Sequence, residues 1–440
     1  MIMALMIYNV LMIVALIIGL PIVLPFLVTT RKRRKTVLPR LHPALKYRHT
    51  RASGKAPSPT IWVHALSLGE VLSAVPLVQA LEKRFGRDAL VFSASTLSGF
   101  ETAGQRITSS VRQVFFFPYD LLFSVVLAVR RVDPALVIIV ETDLWPNFMA
   151  RLAARQVPVL LVNARLSDRS TKGYRRVGPV VRPLLNAFRT ICVQSSADAD
   201  RFRLLGARAD QLIVTGNLKF DIQTQSLTGH ELESRRRLFR LDHSDRVIVA
   251  GSTHPGEEEV LLAGFGQLIK QWPAMKLILA PRDPERADLV KTLAAGYGLK
   301  AACLSDLEGQ PSASPAAVIV IDRIGILAQA YALGDLAFVG GSLVAAGGHN
   351  PLEPAACGKP VLFGPDMSDF RLIAALLVQN GGAFRVSNEV DFTTQVTRLF
   401  KDQDFARTTG QNAYQIIAAH SGAVHRTMAA VLKVTGRRDA

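Results

Sequence analysis

The sequence predicts an α/β protein built as two halves, each a parallel sheet covered by helices on both faces, and three observations carry that prediction. Apolar runs of four to eight residues, rich in Val, Ile or Phe, alternate with helix-like stretches, which is the pattern of βαβ units. The alternation pauses once, at a polar and charged connection, and then restarts. At 440 residues the chain is also too long for one ordinary core and suits two.

The elements follow in order. "MIMALMIYNVLMIVALIIGLPIVLPFLV" carries no charged side chain from Met1 to Val28, long enough to cross a hydrocarbon core of about 30 Å. Its positive charge, "RKRRK", comes after the apolar run, whereas a cleaved signal peptide carries it before. Residues 1–30 are therefore expected to form a membrane anchor helix, with everything beyond Arg31 on the cytoplasmic side. Pro21 and Pro25 leave spanning and shallow insertion both open. A basic juxtamembrane linker, 31–59, follows, with ten Lys/Arg and no acid between Arg31 and Lys55. Arg165 to Arg189 adds seven Arg/Lys against one Asp, so two patches hold nearly all of the formal net charge of +17. A polybasic stretch beside an anchor attracts anionic headgroups. Nucleic-acid modules interleave stacking aromatics with their basic residues, and these patches offer little beyond Tyr47 and Tyr174, so no nucleic-acid partner is expected. Cys192, Cys303 and Cys357 are far apart, form no Cys-x-x-Cys and read as small buried hydrophobes.

The first half, 60–220, contains the runs "IWVHA", "ALVFSAS", "VFFFP", "ALVIIVE", "VPVLLVN" and "TICVQ". The connection, 221–244, has no long apolar run. The second half, 245–410, contains "RVIVAGS", "MKLILAP", "AAVIVID", "DLAFVGGS" and "PVLFG", and "SDLEGQPSASPAA" within it reads as an exposed loop. Residues 411–440 read as helix that packs back toward the first half, and a cleft is expected between the halves.

Open parallel sheets bind ligands at the carboxyl ends of their strands, so the informative residues should follow the apolar runs. In the first half these are Ser67, Gly69 and Glu70, then "ETDLWPN" from Glu141, then "NARLSDRS" with Asn163, Arg165 and Arg169, then "VTGNLKFD" with Lys219. Helix capping alone accounts for Ser67 with Glu70 three residues on, and for Thr142 or Asp143 ahead of Trp145 and Pro146. Capping does not account for polar and charged groups at four of the strand ends in this half. In the second half, Gly251, Ser252, Thr253 and His254 stand where a strand meets a helix opened by Pro255 or Gly256. Free backbone N–H groups there would make an anion site. Arg282 and Arg286 follow the next strand. The loop "FVGGSLVAAGGHNPLEPA" then brings Gly340, Gly341, Ser342, Gly348, Asn350 and Glu353, with glycines that let a ligand approach the backbone.

Other chemistries lack their motifs. There is no Gly-x-Gly-x-x-Gly after the first strand, no P-loop, no His-Glu-x-x-His and no pair of histidines at zinc spacing. Asp198-Ala199-Asp200 falls in a helix-like stretch and reads as a solvated helix face, so neither a metal nor a cofactor is expected.

"SLGEV", "ETDLWPN", "NARLSDRS", "VTGNLKFD", "AGSTHPGEE", "PRDPER" and "VGGSLVAAGGHNPLEPA", in this order over nearly the whole chain, resemble the motifs of the 3-deoxy-D-manno-octulosonic acid (Kdo) transferases, which add Kdo to the lipid A precursor. The resemblance implies a GT-B glycosyltransferase of two Rossmann-like domains facing a cleft, on the inner membrane, with the lipid A precursor held by the first half and CMP-Kdo by the second. It implies Glu70 as general base of an inverting transfer. Donor binding falls on Ser252, Thr253, Arg282, Gly340, Gly341, Ser342, Gly348, Asn350, Glu353 and Lys219, and acceptor binding on Ser67, Gly69, Glu141, Asn163, Arg165 and Arg169. A helix N-terminus lowers carboxylate basicity, so burial near Trp62 or Leu66 would have to raise that of Glu70 again. The chain departs from the family pattern at Asp283, where His is usual, and at Ala345-Ala346, where Pro-His is usual. A GT-B transferase using a UDP-sugar on another lipid acceptor, and a non-catalytic lipid-A-binding protein, are the alternatives.

Overall fold

The computed structural model describes residues 2–29, 31–43, 45, 59–221, 228–309 and 316–436, with side chains in the N-terminal segment described for 5–19 and from 35 onward. Much of the expected basic linker and parts of the central connection and of the "SDLEGQPSASPAA" segment lie outside the described residues. The chain divides into two units, Met1–Asp221 with His420–Ala440, and Ile222–Ala419.

In the first unit seven strands form one parallel sheet: β1 Thr60–Ala65, β2 Leu90–Ala94, β3 Gln113–Phe116, β4 Pro134–Val140, β5 Val159–Ala164, β6 Thr190–Val193 and β7 Leu212–Val214, in the order β3-β2-β1-β4-β5-β6-β7. The apolar runs are continuous because both faces are covered. Trp62, Val91, Val137, Ile139 and Leu161 face one cluster with Phe117 and Phe148. Ile61, Val63, Ile138, Val140 and Leu160 face the other, with Val71 and Leu77 of the helix Leu68–Phe85. Trp62 satisfies its buried indole N–H on Ser93 Oγ at 2.8 Å.

The second unit repeats the plan with β8 Arg246–Thr253, β9 Met275–Pro281, β10 Ala301–Cys303, β11 Val318–Val320, β12 Leu336–Val339, β13 Val361–Phe363 and β14 Ala383–Arg385, all parallel, in the order β10-β11-β9-β8-β12-β13-β14. Strand order reverses between β1 and β4 in the first unit and between β8 and β12 in the second. In such sheets the reversal opens a crevice at the strands' carboxyl ends.

Both ends of the chain belong to the first unit. The helix Ala423–Thr435 buries Ala423, Ala430 and Val431 in the cluster that holds Val71, and the Asp221 carboxylate accepts from the N–H groups of Gly422 and Val424. At the other end, Ile2–Thr29 is a single helix of 28 residues. Met6, Ile7, Val10, Leu11, Ile17 and Ile18 are exposed on it, yet Tyr8 donates to Asp120 Oδ2 at 3.0 Å and the side-chain amides of Asn9 and Asn147 bond reciprocally at 2.8 Å. Among the described residues no helix is long and apolar enough to cross a membrane. The expected spanning anchor is therefore not shown: the described side chains stop short of Pro21, Pro25 and the basic flank Arg31–Arg34.

Candidate functional site

The reversal between β1 and β4 gathers the carboxylates of the first unit. β1 ends at Ala65 and the chain turns at once into the helix Leu68–Phe85, which puts Glu70 in its first turn. Glu70 Oε2 accepts from the Leu66 N–H at 2.5 Å and the Ser67 N–H at 3.3 Å, while the Ser67 side chain makes no capping bond. The glutamate half of a capping box is thus real. It does not exhaust the residue, because among the described residues Oε1 makes no hydrogen bond. Burial drives the Glu70 carboxyl up from 4.5 to about 7; the neighbouring Glu141 adds to this, the Leu66 N–H opposes it and Asp143 adds a smaller push. A Cβ at Gly69 would meet open space, so nothing in the fold requires glycine there.

β4 hands the chain to Glu141, which adopts φ +61° and keeps its side chain 16% exposed, with Arg165 Nε 3.6 Å away. β5 delivers Asn163, also in the left-handed region at φ +56° and fully buried, whose Oδ1 accepts from the Leu218 N–H at 3.0 Å. Left-handed non-glycine residues at successive strand ends are conformations that a fold keeps only where its surroundings impose them. Arg165 and Arg169 are exposed, and Ser167 caps the basic helix Asp168–Arg176 through the Ser170 N–H at 3.0 Å. Asn163 therefore supports the rim from beneath, while Glu70, Glu141 and Arg165 stand on it.

Two groups missed in the sequence complete this site. His64 in β1 is fully buried, stacked on Phe117 at 3.8 Å between ring centres, with Nδ1 3.0 Å from the Ser93 carbonyl and Nε2 3.6 Å from Asp143 Oδ2. Among the described residues neither Nε2 nor Oδ2 has a hydrogen-bond partner. A histidine inside an otherwise apolar strand was the available signal. Asp143 does not cap the helix Pro146–Ala154, as its place in the sequence suggested. That role falls to Asp120, whose carboxylate accepts from the N–H groups of Asn147 and Phe148 at 3.0 and 2.9 Å. Thr142 Oγ1 donates instead to the Arg165 carbonyl at 2.6 Å. Asp198 is not a solvated helix residue: it is 7% exposed and accepts from the Leu166 N–H at 3.1 Å and the Ser195 hydroxyl at 2.6 Å, pinning the loop that carries Arg165.

In the second unit the expected backbone anion site is already filled. Glu257, fully buried in the first turn of the helix Glu257–Gln271, accepts from the N–H groups of His254, Gly341, Ser342 and Leu343 at 2.7–2.9 Å. Its neighbour Glu258, also fully buried, takes a bidentate pair from Arg286 at 2.9 Å and the hydroxyl of Thr253 at 3.0 Å. Thr253 and Arg286 are thereby committed inward. Ser342 is buried as well, donating to the Val339 carbonyl and accepting from the Gly364 N–H. Ser252 is half-buried at φ +57°, and Asn350 accepts from the Leu352 N–H at 3.1 Å and donates to Glu353 at 3.3 Å. Gly340 and Gly348 hold the loop by backbone bonds with Gly251 and Gly341. Arg282 is exposed and forms no ion pair among the described residues. His254 and His349 face one another beside it, Nε2 to Nε2 at 2.9 Å. Lys219 belongs to the first unit, whereas the other donor candidates belong to the second. Among the described residues no group of three or more His, Cys, Asp or Glu side chains is arranged to hold a metal ion.

Comparison with known proteins places this geometry. The sequence profile of the family described as 3-deoxy-D-manno-octulosonic-acid transferase (kdotransferase) matches residues 41–222. The 3-deoxy-D-manno-octulosonic acid transferase of Haemophilus influenzae is 33% identical over 84% of this chain and 86% of its own, and that of Bordetella pertussis 31% identical over 87% and 90%. Among solved structures, the UDP-GlcNAc 2-epimerase of Neisseria meningitidis, bound to UDP-GlcNAc, matches 85% of this chain and all of its own with a TM-score of 0.55 at 13% identity, a likeness of fold alone. With a third of its residues shared over most of both chains, this protein belongs to the 3-deoxy-D-manno-octulosonic acid transferase family and is a glycosyltransferase.

Proposed function

We propose that this Kdo transferase moves Kdo from CMP-Kdo to a hydroxyl of the lipid A precursor in lipopolysaccharide synthesis, with Glu70 as the general base. The observation that carries the base assignment is the Glu70 carboxyl itself: it stands at the strand-order reversal, keeps one oxygen free of hydrogen bonds among the described residues, and is pushed up to about 7 by burial. A base poised near the working pH takes a proton from a sugar hydroxyl far better than an ordinary carboxylate, an effect worth about 10²–10⁴-fold. The acceptor proton goes to Glu70, the acceptor oxygen bonds the anomeric carbon of Kdo with inversion, and the bond to the CMP phosphate breaks with its electron pair. CMP leaves as a stable anion and needs no proton. The acceptor would lie over Ser67, Gly69 and Glu141, where the open space at Gly69 lets a ligand reach the helix backbone. The exposed Arg165 and Arg169 would meet its phosphates.

A lipid acceptor calls for a membrane. The exposed apolar side chains of the helix Ile2–Thr29, followed in sequence by the ten basic residues of Arg31–Lys55, support attachment to an anionic inner-membrane surface from the cytoplasmic side.

The test incubates membranes bearing the protein with CMP-Kdo and tetraacylated lipid A precursor, beside Glu70→Gln at matched folding, and weighs the lipid by mass spectrometry. Mass gained by the wild type alone supports donor, acceptor and base together and counts the sugars. No gain with either protein, but transfer from a UDP-sugar, overturns the donor; equal gain removes Glu70 from the mechanism.

A further inference from the structure

Inside the first unit a line of polar groups runs from beneath β1 toward the Glu70 site and stops one step short. The Trp62 indole N–H, which can only donate, binds Ser93 Oγ at 2.8 Å, and both Ser93 Oγ and the Ser93 carbonyl lie 3.0 Å from His64 Nδ1. The His64 ring is fully buried and stacked on Phe117, which holds its plane. Its far nitrogen, Nε2, lies 3.6 Å from Asp143 Oδ2, and among the described residues neither atom has a hydrogen bond. That separation is longer than a hydrogen bond and too short for a water between the two. A shift of about half an ångström completes the bond, and bonds of this kind commonly tighten only when substrate is bound.

The donor sense follows from the partners. Two proton arrangements satisfy the Ser93 side of the ring: Nδ1 accepts from the Ser93 hydroxyl, or a doubly protonated ring donates from Nδ1 to the Ser93 carbonyl. Both put a proton on Nε2, so the sense does not depend on the charge of the ring. The third arrangement sets a bare nitrogen against a carboxylate and satisfies neither.

Asp143 follows β4 in the loop that carries Glu141, and β4 is the neighbour of β1 at the reversal. Two residues beyond His64, the Leu66 N–H holds Glu70. His64 therefore links the strand end that presents Glu70 to the loop that presents Asp143. Glu70 feels Glu141 and Asp143; Arg165 stands beside Glu141, and Asp143 in turn acts on Arg40 and Tyr174. Burial, then Glu141, raise the Glu70 carboxyl, and Asp143 adds a smaller push in the same direction.

We propose that His64 is a positioning residue of the transfer reaction: by donating from Nε2 it fixes the Asp143 carboxylate at the Glu70 site, where its negative charge favours uptake of the acceptor proton by Glu70. This rests on the reading of Glu70 as the base. The proton passes from the acceptor hydroxyl to Glu70, and neither His64 nor Asp143 gains or loses one.

The test measures Kdo transfer to tetraacylated lipid A precursor from about pH 5 to about pH 9. Asp143→Asn keeps the shape and removes the charge, so its midpoint is expected below that of the wild type. His64→Leu removes the donor; the unsupported carboxylate then swings into water or takes up a proton, and the midpoint falls in the same direction. His64→Gln, whose amide can still donate, is expected to keep the wild-type midpoint. The double variant carrying His64→Leu and Asp143→Asn is expected to match Asp143→Asn alone, since His64 acts only through Asp143. A His64→Leu variant that is slower at every pH with its midpoint unmoved overturns the proposal, as does a double variant whose shift is the sum of the two singles. Should His64→Leu fail to fold, NMR of the His64 ring decides: the Nε2 proton should move downfield when the precursor binds to the wild type and not to Asp143→Asn, and its failure to do so overturns the assignment. Equal transfer by Glu70→Gln and the wild type overturns instead the reading of Glu70 as the base.

Discussion

A carboxylate in the first turn of a helix is ordinarily a weak base, because the dipole and two N–H donors hold it ionised. Glu70 has those donors and still titrates near 7, since burial outweighs them and Glu141 adds a second negative charge. Transfer should therefore rise with pH through about 7 and level off above it, and a pH–rate profile that is flat from 6 to 8 would exclude a base of this kind. The same shift has a stability consequence. The folded state holds the Glu70 proton more tightly than the unfolded chain, so its contribution is complete below about 4.5 and is lost as pH rises through about 7. Glu70→Gln should accordingly be inactive yet more stable than the wild type at pH 8, by about 1–3 kcal/mol, with the advantage gone at pH 4.5. Urea denaturation at the two pH values measures this, and equal stability at both would show that Glu70 is not strained in its ionised form. At this scale the positions were legible in the sequence and the partnerships were not. The strand-end rule located Glu70, Glu141 and the Gly340–Gly341 loop, but no spacing announces that Glu257 will reach back to four N–H groups, or that His64 will meet Asp143 from the next strand.

Strands and their order of appearance were the most legible elements, because a strand buried on both faces writes a continuous apolar run. The N-terminal helix was legible in composition and not in role. Tyr8 and Asn9 are the only hydroxyl and amide side chains before Thr29; Tyr8 turns to Asp120 in the segment after β3, and Asn9 to Asn147 in the first turn of the helix Pro146–Ala154. Asn9 and Asn147 satisfy one another, while Asp120 takes Tyr8 together with two N–H groups of that helix's first turn. The helix start so held directly follows the loop that presents Glu141 and Asp143. Asn9→Leu leaves the Asn147 carbonyl oxygen without its donor, at a cost of about 1–3 kcal/mol, and should loosen the loop. The expected pattern is a lowered melting temperature and a raised KM for the lipid acceptor, with the KM for the nucleotide donor unchanged and vesicle co-sedimentation intact. A variant that lost only vesicle binding would make the helix an attachment and nothing more.

Length and the pause in the apolar pattern predict two units, and residues 411–440 read as helix packing back toward the first; which contacts would tie that helix there is not legible in sequence order. The chain leaves the first unit after Asp221 and re-enters it at His420, so the last helix completes a core laid down some two hundred residues earlier. Ala423, Ala430 and Val431 cover Val71 and its neighbours, the Arg426 guanidinium bonds the Thr215 carbonyl at 2.8 Å, and Asp221 caps the incoming turn through Gly422 and Val424. A chain ended after His420 keeps every residue of β1 to β7 and both candidate sites, so a reading by linear domains expects little harm. The contacts dictate otherwise: removing the buried Ala423, Thr427, Ala430, Val431 and Leu432, with the cover they give their neighbours, costs the first unit about 3–5 kcal/mol, comparable with a large-to-small truncation in the core. Limited proteolysis with mass mapping should then find new cuts between 60 and 221 while 228–419 stays protected, and Asp221→Asn, which retains part of the cap, should weaken the same region less. Protection that falls equally in both units would assign the last helix to the molecule at large, and unchanged protection would make it dispensable to the core that holds Glu70.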